Sequence, residues 1–403
     1  MEVRYTSLYS HTHQSMSTEI PTAPRLAPDY RASGDSAQNA ATYTALGDSF
    51  FELDRLDEAE AAYRNALRLE PALIDPANSL GVILAGRGEH TEAIQIFRRL
   101  IRVDPTFIHA RQNLAQVCIA AGRLQDALEH CLEGRRIAPD NLAIRGMLGV
   151  VYRALGQVDE ARELYRQWFS EDPNDPSVRH YHAALSGADV PTVASADYVR
   201  EVFDPFASNF EDALARLDYA APQLVGAQLS LVLGAPNAKW RIADAGCGTG
   251  LCAPYLRPHA RDLTGVDLSP RMLEHAAAKG SYDLLVEAEL VEFLDARLAA
   301  FDVIVAADTL CYLGDLDSFA HAAGRSLADR GWLIFTVEAL TDGTTDRPWR
   351  LQPHGRYCHT RKYVETTLVE RGFTVRDVRR LTLRQEAGRQ VDGWLVTAAR
   401  IRS

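Results

Sequence analysis

No run in this 403-residue sequence is long and apolar enough to cross a membrane. The opening stretch Met1–Met16 holds no apolar h-region, so no signal peptide is expected. The six cysteines are Cys118, Cys131, Cys247, Cys252, Cys311 and Cys358, and none of them makes the close CxxC pair of a zinc or redox site. No metal site is expected. The thiols read as reduced, mostly buried small residues of a cytoplasmic protein. Positive charge is in deficit: Lys+Arg 43 against Asp+Glu 54 leaves a formal net charge of -11. That balance favours solubility and argues against a nucleic-acid backbone as partner.

The composition, 47% hydrophobic and 24% charged, is that of a globular protein, and the length implies two or three domains. Residues 1–38 are rich in Ser, Thr, Pro, Ala and His without a hydrophobic period. They read as a disordered tail, in which Met16 is an alternative start.

From there the pattern is helical and repeats. Four windows begin at Ala40, Ile74, Ile108 and Leu142, a period of 34 residues. Each ends near a proline: Pro71, Pro105, Pro139 and Pro173. Alanine recurs at Ala59, Ala93, Ala127 and Ala161, leucine at Leu46, Leu80, Leu114 and Leu148, and a small residue at Gly47, Gly81, Ala115 and Gly149. Small residues let two antiparallel helices approach closely, while Phe50, Tyr63, Phe97, Tyr152 and Tyr165 fill the seam. Gly88, Gly122 and Gly156, with Asp54 in the first window, suit a turn of positive φ. The prolines stop the second helix of each pair. This pattern resembles the tetratricopeptide repeat. An array over 39–187 is expected, with Pro176–Ser186 as its capping helix, and such arrays imply a protein partner.

A small-residue stretch at 187–195 marks the domain boundary, and 188–403 forms the second domain. Helical segments occupy 188–236. After Pro236 strand and helix alternate, the signature of an α/β parallel sheet. The stretch Arg241-Ile-Ala-Asp-Ala-Gly-Cys-Gly-Thr-Gly250 runs from a short apolar strand into D-x-G-x-G-x-G, formed by Asp244, Gly246, Gly248 and Gly250. A dinucleotide loop would place its third glycine at Leu251. About 20 residues on, a second strand ends in Asp267, where a carboxylate can accept hydrogen bonds from ribose hydroxyls. Asp267 also stands just before a helix start at Ser269-Pro270.

These residues, with Val266-Asp267-Leu268-Ser269 and Met272-Leu273, resemble the class I S-adenosylmethionine-dependent methyltransferases. With the repeats, the whole resembles bacterial methyltransferases that carry tetratricopeptide repeats. The resemblance implies a Rossmann-like seven-stranded sheet with an antiparallel last strand, and S-adenosyl-L-methionine as cofactor. It implies an acid near the adenine amino group at the end of the third strand, for which Glu289 is the choice; a solvated loop acid is the other reading. Asp308, at the end of the fourth strand, lines the cofactor or substrate pocket or caps the next helix.

The segment Tyr198–Phe210 reads as an aromatic lid or as an amphipathic core helix. Relatives carry Gly-Arg-Tyr/Phe-x-His-Ser/Thr where this chain has Gly355 to Thr360. That implies His359, as a base, and Arg356 on the acceptor side; otherwise His359 packs beside a helix capped by Thr360. The expected function is methyl transfer, with a non-catalytic repeat adaptor as the alternative.

Overall fold

The computed structural model describes residues 36–340, 347–386 and 389–401. Residues 1–35 of the expected tail, with Met16, lie outside these. Ser36–Gln38 already belong to the first helix, Ser36–Glu52. No helix among the described residues is long and apolar enough to cross a membrane. Contacts divide the described chain into two units, one through Gln157 and one from Val158.

The first unit is built of helix pairs: Ser36–Glu52 with Leu56–Leu69, Ile74–Gly86 with His90–Val103, and Ile108–Ala120 with Leu124–Ile137, followed by Leu142–Ala154. The turns are as the sequence requires. Gly88, Gly122 and Gly156 adopt φ of 79°, 71° and 73°, and Asp54 takes 56° in the first. The small position of each repeat is explained by its neighbour. A Cβ on Gly47 would lie 2.5 Å from the Tyr63 ring, and one on Gly81 2.7 Å from the Phe97 ring. In the third repeat Ala115 replaces glycine, and Cys131 stands where the aromatic would be, both fully buried. The volume added on one helix is removed from the other, as a close-packed seam demands.

The second unit opens with helices Val158–Glu171 and Pro176–Ser186. The stretch 187–195, expected to separate domains, therefore lies inside it. Side chains of the second helix meet the chain beyond: Tyr181 and Tyr198 are both buried, their hydroxyls 3.1 Å apart. Helices Ala196–Phe203, Phe210–Ala215 and Ala221–Leu233 lead to the sheet.

Its strands are β1 (Trp240–Ala245), β2 (Ala260–Asp267), β3 (Leu284–Glu287), β4 (Phe301–Ala306), β5 (Leu327–Leu340), β6 (Trp349–Leu351), β7 (Tyr357–Thr360), β8 (Phe373–Glu386) and β9 (Arg389–Arg400). The parallel order is β3-β2-β1-β4-β5. β9 runs antiparallel along β5, and β8 pairs antiparallel with β9. These are the seven expected strands.

Two more were not expected. β9 covers β5 only from Trp332 to Glu338, which leaves the far end of this 14-residue strand with an open edge. β7 pairs there, with Glu338–Leu340, and β6 pairs with β7. The described sheet thus has nine strands.

The sheet is covered on both faces, so its strands are apolar without alternation of polarity. On β4, Val303 and Val305 enter one core with Ile242, Leu263 and Ile334, while Ile304 and Ala306 enter the other with Leu333 and Phe335. This sandwiching fixes the strand ends, so Asp267, Glu289, Asp308 and Glu338 arrive at one edge of the sheet, where open α/β folds place ligands.

The helix seam supplies a test. Gly81→Val should lower stability in urea denaturation by about 1–3 kcal/mol through overpacking against Phe97. Gly86→Ala, with nothing within 4 Å of the new Cβ, should be neutral or stabilising. Equal effects at the two positions would contradict the seam.

Candidate functional site

The ends of β1, β2 and β4 open onto one cavity of about 230 Å³. The loop after β1 forms its floor, and its three glycines have three different reasons. All take positive φ: 74° at Gly246, 53° at Gly248 and 87° at Gly250. A Cβ at Gly246 would strike the Thr309 side chain, and one at Gly250 would lie 3.0 Å from the Tyr282 ring. At Gly248 only Phe210 comes near, at 3.8 Å, so a side chain there would project into the cavity. Gly246 and Gly248 line the cavity; Gly250 does not.

Asp267 and Glu289 line the same cavity. Asp267 Oδ2 accepts the Gly248 amide at 2.8 Å, and Oδ1 the Ser269 amide at 2.9 Å. Each oxygen keeps a further lone pair. Burial raises this carboxyl above its ordinary pKa against the pull of those amides. Glu289 caps the helix Leu290–Asp295 by accepting from Glu292 N at 2.8 Å through one oxygen.

Asp244 differs from these. It is 1% exposed, absent from the cavity wall, and accepts a hydrogen bond from Tyr282 Oη at 2.7 Å. Burial pushes its carboxyl up to about 7. The first acid of the glycine motif thus holds the loop from beneath.

The roof is formed by the segment for which a lid or a core helix is expected. Val199, Val202, Phe203, Phe206 and Phe210 face the cavity, and the rings of Phe203 and Phe206 meet Phe210 edge-on at 6.1 and 5.5 Å. Tyr198 turns away from it, fully buried against the preceding helix. Arg200 Nε donates to Leu268 O at 3.3 Å, and Ser269 donates to Asp204, which ties the lid to the loop after β2.

The far wall is ionic. Asp308, at φ 55°, donates its amide to Thr336 Oγ1 at 2.8 Å. Its carboxylate meets Arg384 Nη1 at 2.9 and 2.7 Å. Arg384 also donates to Glu338 and, at 2.6 Å, to Glu386. Arg356 donates to Glu338 at 2.5 Å and to both oxygens of Glu386 at 2.8 Å. Three carboxylates therefore share two guanidiniums, one negative charge in excess.

Burial raises Glu338, but Arg356 and Arg384 outweigh it and hold that carboxyl down to about 2. Burial raises Asp308. Burial and the adjacent Arg356 lower His354 to about 4, so it adds no positive charge at neutral pH. Glu338, His354 and Cys358 bring an oxygen, a nitrogen and a sulfur within 4.8 Å. A dication there would face both guanidiniums already seated on Glu338.

Arg356 and Asp308 thus stand on the wall, as the sequence places them. His359 does not. It is fully buried and absent from the lining, its Nε2 donating to Gly314 O at 3.0 Å and its ring stacked on Tyr363. Burial lowers it to about 4. Thr360 caps the following helix through Tyr363 N. β7 alternates its side chains, so Cys358 faces Glu338 while His359 faces the helix layer.

Glu338, Arg384 and Glu386 were missed. Glu338 stands near the end of an apolar strand, Arg384 and Glu386 at the end of the charged strand β8, and apart from the Arg384–Glu386 pair their partners in the network lie 18 to 76 residues away. All six cysteines are free and buried; burial raises those beside the cavity, Cys247, Cys252 and Cys311, well above the usual thiol value.

A glycine loop at β1, an acid ending β2 and this strand order define a class I methyltransferase fold. Residues 243–333 match the methyltransferase domain family. Residues 44–106, 84–137 and 120–185 match tetratricopeptide-repeat families. The chain carries a methyltransferase domain preceded by tetratricopeptide repeats.

It is 43% identical over 84 residues to methyltransferase-like protein 27 of Homo sapiens, covering 21% of this chain and 34% of that protein. It is 33% identical over 108 residues to magnesium-protoporphyrin O-methyltransferase of Rhodobacter capsulatus, covering 25% and 46%. The chain thus spans between a third and a half of these relatives. The crystal structure of Burkholderia thailandensis 1,6-didemethyltoxoflavin-N1-methyltransferase is 25% identical, covering 53% of this chain and 93% of that one, at a TM-score of 0.41.

Two measurements test the site electrostatics. Arg384→Met should cost about 3–5 kcal/mol at pH 7, because Asp308 then loses its guanidinium and Glu338 and Glu386 are left to Arg356 alone. In the wild type, Glu338 is depressed to about 2, so its stabilisation is full above the ordinary carboxylate pKa and fades as pH falls toward 2. The mutant deficit should therefore shrink in acid; a deficit independent of pH contradicts the network. Asp244 has the opposite sign. Its carboxyl is raised to about 7, so the fold favours the protonated form, and that contribution is lost as pH rises through 7. Asp244→Asn should gain stability relative to wild type between pH 4 and pH 8, read by thermal denaturation across that range.

Proposed function

We propose that this chain is an S-adenosylmethionine-dependent methyltransferase whose repeats, over 39–187, dock a protein partner. The observation that carries the reading is the convergence of Gly248, Asp267 and Glu289 on one cavity beneath an aromatic lid. The wall fits the cofactor: the floor is open above Gly248, and the Asp267 oxygens retain lone pairs toward the cavity side. Asp267 would hold the ribose hydroxyls, Glu289 the adenine amino group, and the Gly246–Gly248 backbone the amino-acid part. The methyltransferase names of the relatives agree.

When bound, the cofactor supplies an electrophilic methyl group for in-line displacement. The chain aligns the reactants and keeps water out. Phe203, Phe206 and Phe210 exclude solvent. The acidic excess of the far wall favours a cationic group in the cavity over an anionic one. Asp308 and Arg356 position the acceptor. With their charges already paired, they orient it rather than take its proton. The six buried free thiols fit a reducing compartment, and we place the protein in the cytoplasm.

Calorimetry with S-adenosylhomocysteine tests the proposal. Wild type should bind. Asp267→Ala should lose about 1.5–3 kcal/mol for each charge-assisted hydrogen bond removed. No binding by the wild type, or equal binding by the mutant, defeats it.

A further inference from the structure

We infer that His180, on the helix Pro176–Ser186, is a positioning residue for Arg356 and the lid. This rests on the proposed methyl transfer for its purpose and on geometry alone for its existence. His180 is absent from the cavity wall. It is 4% exposed, and its Nε2 donates to the carbonyl of Gly355 at 2.7 Å. A buried histidine bonded to one main-chain oxygen 175 residues away fixes that peptide rather than serving solvent.

The peptide it fixes is the apex of the β6–β7 hairpin. Gly355 N donates to Gln352 O at 2.8 Å, and Gln352 N to Arg356 O at 2.9 Å, which closes a tight turn. Gly355 takes φ 92°, and a Cβ there would lie 2.8 Å from the Tyr181 ring and 3.0 Å from Tyr198 Oη. The apex is thus pressed against the helix, and glycine is required for it. The next residue is Arg356, which lines the cavity and whose guanidinium reaches Glu386 on the same wall and Glu338 behind it. Its backbone direction follows from where the Gly355 carbonyl is held. One residue further, Tyr357 Oη donates to Pro191 O at 2.7 Å, a second tie between this hairpin and the segment leading to the lid.

The other face of the same imidazole supports the roof. The His180 and Tyr198 rings lie parallel within 17°, centroids 3.9 Å apart. Tyr198 belongs to Ala196–Phe203, whose Val199, Val202 and Phe203 close the cavity. One side chain therefore holds the turn bearing Arg356 by a hydrogen bond and the lid helix by stacking. The helix that carries it lies just past the last repeat, and residues through 185 match the repeat family. A shift of this helix would reach both walls of the cavity at once.

The two contacts can be separated in the full-length chain. His180→Phe keeps the stack on Tyr198 and removes the donor to Gly355. His180→Gln restores a donor without the ring. Hydrogen–deuterium exchange should show faster exchange at 352–358 in His180→Phe, by about ten-fold or more, with 196–206 unchanged; His180→Gln should return protection to 352–358. Binding of S-adenosylhomocysteine should stay within about three-fold of wild type, because Gly248 and Asp267 are untouched. Transfer of labelled methyl from the cofactor into cell extract should fall by about ten- to a hundred-fold in His180→Phe and recover in part in His180→Gln.

Unchanged exchange at 352–358 in a folded His180→Phe chain would overturn the inference. So would cofactor affinity falling in step with transfer, since that is the mark of general destabilisation. A wild type that binds no S-adenosylhomocysteine defeats the methyl-transfer reading, and the exchange comparison still decides the anchor.

Discussion

One guanidinium holds the far wall of the cavity together. Arg384 sits on β8 and binds Asp308 after β4, Glu338 near the end of β5, and Glu386 on its own strand. Each carboxylate would be costly where it is without a partner, and so would the arginine. Their positions are therefore mutually conditional. The loop after β4 accepts a positive φ at Asp308 because that conformation delivers its carboxylate to Arg384. Arg356 shares Glu338 Oε1 and Glu386 Oε1 with Arg384 and takes Glu386 Oε2 besides, and its hairpin, β6–β7, lies at the open edge of β5. Apolar packing shapes the rest of the cavity, and the ionic wall gives it an orientation.

Local physics written within one stretch of chain was legible in the sequence. The repeat period, the positive-φ turn residues and the glycine loop each need neighbours only a few residues away. Asp267 was legible as a carboxylate ending a second strand close behind such a loop, although the helix start at Ser269-Pro270 gives it a second local use, and it does accept the Ser269 amide. The aromatic segment was marked by the family resemblance, with an amphipathic core helix as the other reading; Phe203, Phe206 and Phe210 line the cavity, while Tyr198 faces the other way.

The ionic wall was illegible for a topological reason. Arg384 and Asp308 become neighbours only after β9 lies against β5 and β8 against β9, a set of pairings that no local pattern encodes. His359 carried two readings, and its full burial favours packing beside the helix over the acceptor side. A histidine three residues past an arginine in one hairpin invites a shared role, but along a strand an odd separation turns the two side chains to opposite faces. Arg356 precedes β7 and reaches the wall from the turn, whereas His359 lies within β7 and is carried into the core by the pleat. Asp244 was identified as part of the motif, yet its service is to Tyr282 below the loop.

The helix Pro176–Ser186 bears on how such a chain is assembled from older parts. The repeat family's match runs into it as far as residue 185, but its buried side chains are fitted to the methyltransferase unit. Gene fusion at the small-residue stretch 187–195 would join two domains without inheriting this fit, leaving the Tyr198 ring and the Gly355 carbonyl without the partners that cover them. An exchange of repeats between relatives would succeed only with its crossover upstream of Pro176.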